Sequence, residues 1–195
     1  MKMAEMLLAI NELRKKDKYI CQSCLINYIN TAYTPRWNVS LTTVRRRIKY
    51  LQSSNIGTWD KSHVCSICGK RKSNVVSLYP NITYYIDSYL EQAKNYDGMN
   101  IIEGIDLIGQ PSLLSYYFRF TYKMASQDID YISTSRKVAD ELGMNYNIML
   151  INLNRLEKMF LFVKKITDDS RYKKYIGSEA TLKYVEYIKK NLTKE

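Results

Sequence analysis

The chain holds four cysteines, and they fall in two pairs of identical spacing, Cys21 with Cys24 and Cys65 with Cys68. If the pairs share one ligand, everything between Cys24 and Cys65 must close into a loop, which constrains the fold more than any other feature. Three chemistries suit such a set. Four thiols can pack as small apolar residues, two disulfides can act as a redox switch, or four thiolates can hold zinc tetrahedrally. With no secretory context, the spacing favours metal over disulfide. The second pair reads "CSICGK", in which Gly69 lets backbone amides turn toward sulfur as in a zinc knuckle. The reading is a structural Zn2+ site made by Cys21, Cys24, Cys65 and Cys68. His63, the only histidine, either replaces one thiolate or is a strand residue beside the site.

Charge narrows the choice of partner. The formal net charge is +11 over 195 residues, which points to a polyanion, nucleic acid or a membrane surface. Residues 1–80 carry 14 basic against 4 acidic side chains, residues 81–111 carry 1 against 5, and residues 112–195 carry 15 against 10. Two basic ends therefore flank an acidic middle. No stretch approaches the roughly 18 uninterrupted apolar residues of a membrane span. Glu5, Asn11 and Glu12 also interrupt the start where a signal peptide would stay apolar. The expected location is cytoplasmic and nucleoid-associated, with no membrane partner.

Hydrophobic periodicity lays out the basic N-terminal region. A helix is expected from Ala4 to Lys15, then a short strand "KYI", then a helix through Leu25, Ile26 and Ile29. "TPRWN" breaks that helix, because Pro35 disfavours a helical Thr34. Ser40 is placed to cap the next helix, "LTTVRRRIKYL". At about 100° per residue, Val44, Ile48 and Leu51 share one face while Thr42, Arg46 and Lys49 lie opposite. This helix is a core stripe with a cationic outer side. Two strands around a cysteine- and lysine-rich turn follow, and an antiparallel pairing of "KYI" with "NVVSLY" would bring the two cysteine pairs together.

That order resembles the winged helix-turn-helix family, chiefly over "VSLTTVRRRIKYLQSSNI", where Ser40, Thr43, Val44, Arg46, Leu51 and Ile56 occupy positions typical of its recognition helices. The turn "TAYTPRWNVS" is longer than the family's. From Asn81 to Asp97, Ile82, Ile86, Tyr89, Leu90 and Ala93 fall at helical spacing, as in a connector or dimerisation helix, and Gly98, Gly104 and Gly109–Pro111 mark a boundary.

The last third repeats the outline: helix, short strand "DYIS", helix closed by Gly143, helix, hairpin and a terminal helix. It resembles the MarR family of regulators in Val138, Ala139, Leu142 and Gly143, and in Arg155, Leu156 and Glu157. The Asp168–Arg171 tip and the following Ser178 and Glu179 are similar to that family's wing and its exit. Phe160 stands where the family has glycine after its recognition helix.

These readings give a set of expected DNA contacts. An amphipathic helix fits the roughly 12 Å major groove and can offer Arg to guanine or phosphate. Ser40, Thr42, Thr43, Arg45, Arg46 and Lys49 belong to that helix, and Lys70, Arg71 and Lys72 to the cysteine-rich wing. Arg47 is expected to cover the neighbouring helix. In the second region Asn147, Asn154, Arg155 and Lys158 would face outward with Ile151, and Lys164, Lys165, Arg171, Lys173 and Lys174 would form a cationic wing. That outer face suits an AT-rich site or a protein partner equally. One histidine, no glycine-rich phosphate loop and no clustered carboxylates argue against an enzyme.

The expected architecture is mainly α with small β-hairpin wings. Residues 1–80 form a winged helix-turn-helix with the zinc site, residues 81–111 a helical connector, and residues 112–195 a MarR-like winged helix-turn-helix. The expected function is sequence-specific double-stranded DNA binding in transcriptional regulation, as a monomer or a homodimer. Two alternatives remain: a replication initiator of a plasmid or virus binding iterated repeats, and a protein-interaction adaptor in a transcription or replication complex, whose winged helices bind protein; a protein partner could also be met through the second domain.

Overall fold

The computed structural model describes residues 3–16, 18–32, 40–60, 63–71, 75–166 and 172–192. The chain is mainly helical with two small antiparallel sheets, and divides into two units, Met1–Ile86 and Asp87–Glu195. The turn around Pro35, Lys72 and the Asp168–Arg171 tip lie outside the described residues.

The first unit begins with α1 (Met3–Lys15), which buries Met3, Met6, Leu7, Ile10 and Leu13. Next come α2 (Gln22–Ala32), with Leu25, Ile26 and Ile29 inward, and α3 (Leu41–Ser53). Val44, Ile48 and Leu51 of α3 are fully buried, each contributing about 1.5–3 kcal/mol. Ser40 caps α3 by accepting the Thr43 amide N–H at 3.2 Å. The helix stops in a left-handed turn: Asn55 has φ 51°, and the Ile56 amide reaches back to the Leu51 carbonyl at 2.9 Å.

The chain then forms β1 (Gly57–Asp60) and β2 (Val75–Leu78), paired antiparallel with Gly57 opposite Leu78. A Cβ at Gly57 would stand 2.6 Å from the Ser77 carbonyl oxygen, so the close strand approach requires glycine. Lys18–Ile20, expected as a third strand, does not form one. Cys21 alone makes an isolated bridge, because the amide and carbonyl of Tyr19 are turned to Ser66.

Residues 81–111 fall on both sides of the division between units. α4 (Pro80–Asn95) crosses it, and α5 (Ile101–Asp106) with the short turn Leu107–Gly109 lies in the second unit. Gly104, expected at a boundary, is instead inside α5, because the Tyr89 ring occupies the space of its missing Cβ, 1.8 Å away at Cζ.

The second unit continues with α6 (Pro111–Gln127), β3 (Tyr131–Ser133), α7 (Arg136–Glu141) and α8 (Tyr146–Lys158). It ends with β4 (Phe162–Ile166), β5 (Lys173–Gly177) and α9 (Glu179–Leu192). The strands pair in the order β3-β5-β4, all antiparallel. Tyr117 of α6 stacks on Tyr184 of α9 at 5.8 Å, and Phe162 meets Tyr117 and Phe120 edge-on. Ser135 and Asn145 cap α7 and α8, and Gly143 (φ 62°) takes the left-handed turn between them.

Candidate metal centre and nucleic-acid interface

The loop from Cys24 to Cys65 does close. Cys21 stands at the head of α2 and Cys24 in its first turn, while Cys65 and Cys68 sit on the turn between β1 and β2. All four sulfur atoms lie within 4.8 Å of one another and could hold a metal ion. The sulfurs of Cys21 and Cys68 are 3.8 Å apart. Cys21 and Cys65 are buried, Cys24 is half-buried and Cys68 exposed.

Backbone amides are already aimed at sulfur. The Cys21 N–H approaches Cys65 Sγ at 3.4 Å. Burial opposes ionisation of Cys65, yet the N–H groups of Cys21, Cys68 and Ile67 outweigh it and bring the thiol down to about 6. Burial pushes Cys21 and Cys24 the other way. The backbone thus favours the thiolate at Cys65 while burial opposes it at Cys21 and Cys24, and a bound dication would offset that burial. The turn is held by Gly69 at φ 67° and by its N–H donating to the Cys65 carbonyl at 2.9 Å. His63 does not join the sulfurs; its ring stacks on Tyr19 at 3.7 Å and 14°.

The α3 side chains divide by face. Thr42, Arg45, Arg46 and Lys49 are exposed, and Arg47 is half-buried. Thr43 is half-buried, with its hydroxyl 3.1 Å from that of Ser40, so these two are occupied at the cap. Lys70 and Arg71 are exposed on the cysteine-bearing turn.

In the second unit, Asn147, Asn154, Arg155 and Lys158 are all exposed on α8. Two of them are engaged within the chain. Asn154 Oδ1 accepts the Tyr175 hydroxyl at 2.5 Å, and Arg155 donates to Gln110 Oε1 at 2.7 Å. Sequence alone gave no signal for either bond, since their partners are 21 and 45 residues away. Earlier on the same helix, Ile148 and Ile151 are 42% and 58% exposed.

Lys165 and Lys173 are exposed on the hairpin and Lys164 is half-buried. The register sets Lys165 directly opposite Lys174, a repulsive pair that a bound anion would relieve. Lys174 Nζ also lies 4.2 Å from the centre of the Tyr131 ring. Among the described residues, no helix is long and apolar enough to cross a membrane.

Among known proteins, no family model, no curated protein and no solved structure matches the chain.

Proposed function

We propose that the protein binds double-stranded DNA sequence-specifically through α3 and regulates transcription, as a non-enzymatic, cytoplasmic, nucleoid-associated factor. The observation that carries this reading is the two-sided character of α3. Its apolar stripe is wholly buried and its exposed face offers Thr42, Arg45, Arg46 and Lys49. No acidic residue lies on the helix to neutralise them. A capped, rigid helix of this kind suits the major groove, with arginine directed to guanine and the threonine and lysine to phosphate. The order of two helices followed by a pair of antiparallel strands in each unit is the basis for reading both as winged helix-turn-helix domains.

Zinc is the metal assigned to the cysteine cluster. Four thiolates at a Zn–S distance of about 2.3 Å stand about 3.8 Å apart along a tetrahedral edge, and the Cys21–Cys68 separation has that value. Ligation by all four sulfurs would leave no open coordination position, so the role is structural. It ties α2 to the turn that carries Lys70 and Arg71, which with Lys72 would hold the DNA backbone.

The hairpin of the second unit, with Lys165 opposite Lys174, serves as a further phosphate contact, and a homodimer would read a palindrome. A second reading assigns α8 to a protein partner. It is favoured by the exposure of Ile148 and Ile151 and by the internal bonds that occupy Asn154 and Arg155. Use of the same folds by a replication initiator would appear as direct repeats.

Selection of bound sequences from a random duplex pool, followed by salt titration of the enriched site, tests the reading. A palindrome or single site with a steep salt dependence supports a regulator, iterated repeats support an initiator, and no enrichment removes sequence-specific binding.

A further inference from the structure

The four sulfurs of the first unit are near enough to react with one another as well as to share a ligand. All lie within 4.8 Å, and Cys21 Sγ and Cys68 Sγ are 3.8 Å apart across the two pairs. A disulfide bond is about 2.05 Å long, so an approach of about 1.8 Å would join these two. Access from solvent is uneven. Cys68 is exposed, Cys24 is half-buried, and Cys21 and Cys65 are buried. The turn is also open beside Cys68, since a Cβ on Gly69 would meet nothing within 4 Å. A reagent in solution therefore meets Cys68 first.

The cysteine-bearing turn is held without any metal. The Ser66 N–H donates to the Tyr19 carbonyl at 2.7 Å, the Tyr19 N–H donates to Ser66 Oγ at 3.0 Å, and the Gly69 N–H closes the turn on the Cys65 carbonyl at 2.9 Å. These bonds keep the chain before Cys21 against the turn that carries Cys68. Cys65 is the sulfur held in place, because the Cys21 N–H approaches it at 3.4 Å and it is 1% exposed.

We propose that Cys68 and Cys21 are an oxidation site, at which a hydroperoxide replaces the metal tie of the cluster by a Cys21–Cys68 disulfide. Cys68 Sγ attacks the peroxide, so that a sulfur–oxygen bond forms, the oxygen–oxygen bond breaks, and the leaving oxygen departs as water with a proton from solvent. Cys68 is then a sulfenic acid. Cys21 Sγ attacks that sulfur, the sulfur–sulfur bond forms, and the sulfenic oxygen leaves as a second water. With hydrogen peroxide the sum is two thiolates, one peroxide and two protons giving one disulfide and two waters, the thiolates being oxidised and the peroxide reduced. Two of the four metal ligands are thereby lost. The new bond spans the same 47-residue separation, so α2 stays tied to the turn and Lys70 and Arg71 stay presented. A disulfide within either C-x-x-C pair would untie them. This inference rests on the zinc assignment, and the experiment separates the two.

The full, zinc-loaded chain is treated with hydrogen peroxide while zinc release is followed with a chromogenic chelator. Free thiols are then blocked, and the product is digested without reduction and mapped by mass. Loss of zinc is expected, with the Cys21 peptide joined to the Cys68 peptide and lighter by two hydrogens than the two together. Amide signals of α1 and α3 should persist, and dithiothreitol with added zinc should restore the starting spectrum. Zinc that stays bound in excess peroxide would overturn the proposal and leave the zinc assignment standing. Bonds confined to Cys21–Cys24 and Cys65–Cys68 would overturn it too, as would loss of the α1 and α3 signals on oxidation. A chain that binds no zinc before peroxide is added would remove the zinc assignment and, with it, the exchange of ties. The mapping needs no mutation, so it does not depend on how a cysteine variant folds.

Discussion

Tyr19 and Ser66 are bonded in both directions: the Ser66 amide donates to the Tyr19 carbonyl at 2.7 Å, and the Tyr19 amide donates to Ser66 Oγ at 3.0 Å. This pair joins the end of α1 to the cysteine-bearing turn without any metal. It sits one residue from Cys65 and two from Cys21, so it orients both halves of the cluster.

Ser66→Ala removes one of the two bonds and keeps the other. A loss of about 1 kcal/mol is expected, together with faster zinc transfer to a chromogenic chelator. Unchanged stability with unchanged zinc release would show that the pair does not brace the site.

Removal of the metal should act on one unit. The as-purified protein is expected to carry one zinc per chain, and chelation should broaden or shift the amide signals of Ile20–Leu25 and His63–Arg71. Signals from α6 to α9 should stay in place. Protein that contains no zinc and shows no response to added zinc would remove the metal assignment.

Phe160 adopts φ 58° immediately after α8. The bonds Phe160 N–H to Glu157 carbonyl and Leu161 N–H to Leu156 carbonyl form the usual glycine-type helix stop. Gln92 supports this geometry, donating to the Phe160 carbonyl at 2.8 Å and accepting the Ala180 N–H at 2.7 Å. Phe160→Gly should raise stability by about 0.5–1 kcal/mol in urea unfolding, since a left-handed conformation costs a non-glycine residue about 1–2 kcal/mol. A loss of stability would mean that contacts of the ring outweigh the backbone strain.

Lys123 donates to Glu141 at 2.5 Å, and this bond holds the Glu141 carboxyl below its ordinary value. A depressed carboxylate stabilises the fold above its unfolded value of about 4.3 and loses that contribution as pH falls through the folded value. Melting temperatures of wild type and Glu141→Gln should therefore differ at neutral pH and converge in acid. A gap that widens in acid contradicts the assignment.

Periodicity and spacing made much of the fold legible. The stripe Val44, Ile48 and Leu51 and the cap at Ser40 follow from short-range chemistry, and the two cysteine pairs meet as their equal spacing suggests, though without the strand pairing of "KYI" expected to bring them together. The misread parts depended on distant partners. "KYI" has strand composition, but a serine 47 residues away takes the backbone of Tyr19. Gly104 looked like a breaker because nothing local announces the Tyr89 ring against it. Asn154 and Arg155 lie on the expected face of α8, yet Tyr175 and Gln110 engage them from other elements. The candidate metal site was thus more legible than the candidate DNA contacts, because ligand spacing is written in the sequence and side-chain engagement is not.

The central claim is that the cationic face of α3 reads DNA, and the most direct measurement is binding to duplex as a function of salt for wild type and an Arg46→Ala, Lys49→Ala variant. The account predicts a steep fall of affinity with salt for wild type. For the variant it predicts a loss of about 1–3 kcal/mol per base contact and a shallower slope. Equal affinity and equal slope for the two proteins would contradict it and leave the α3 cations as a solvated surface.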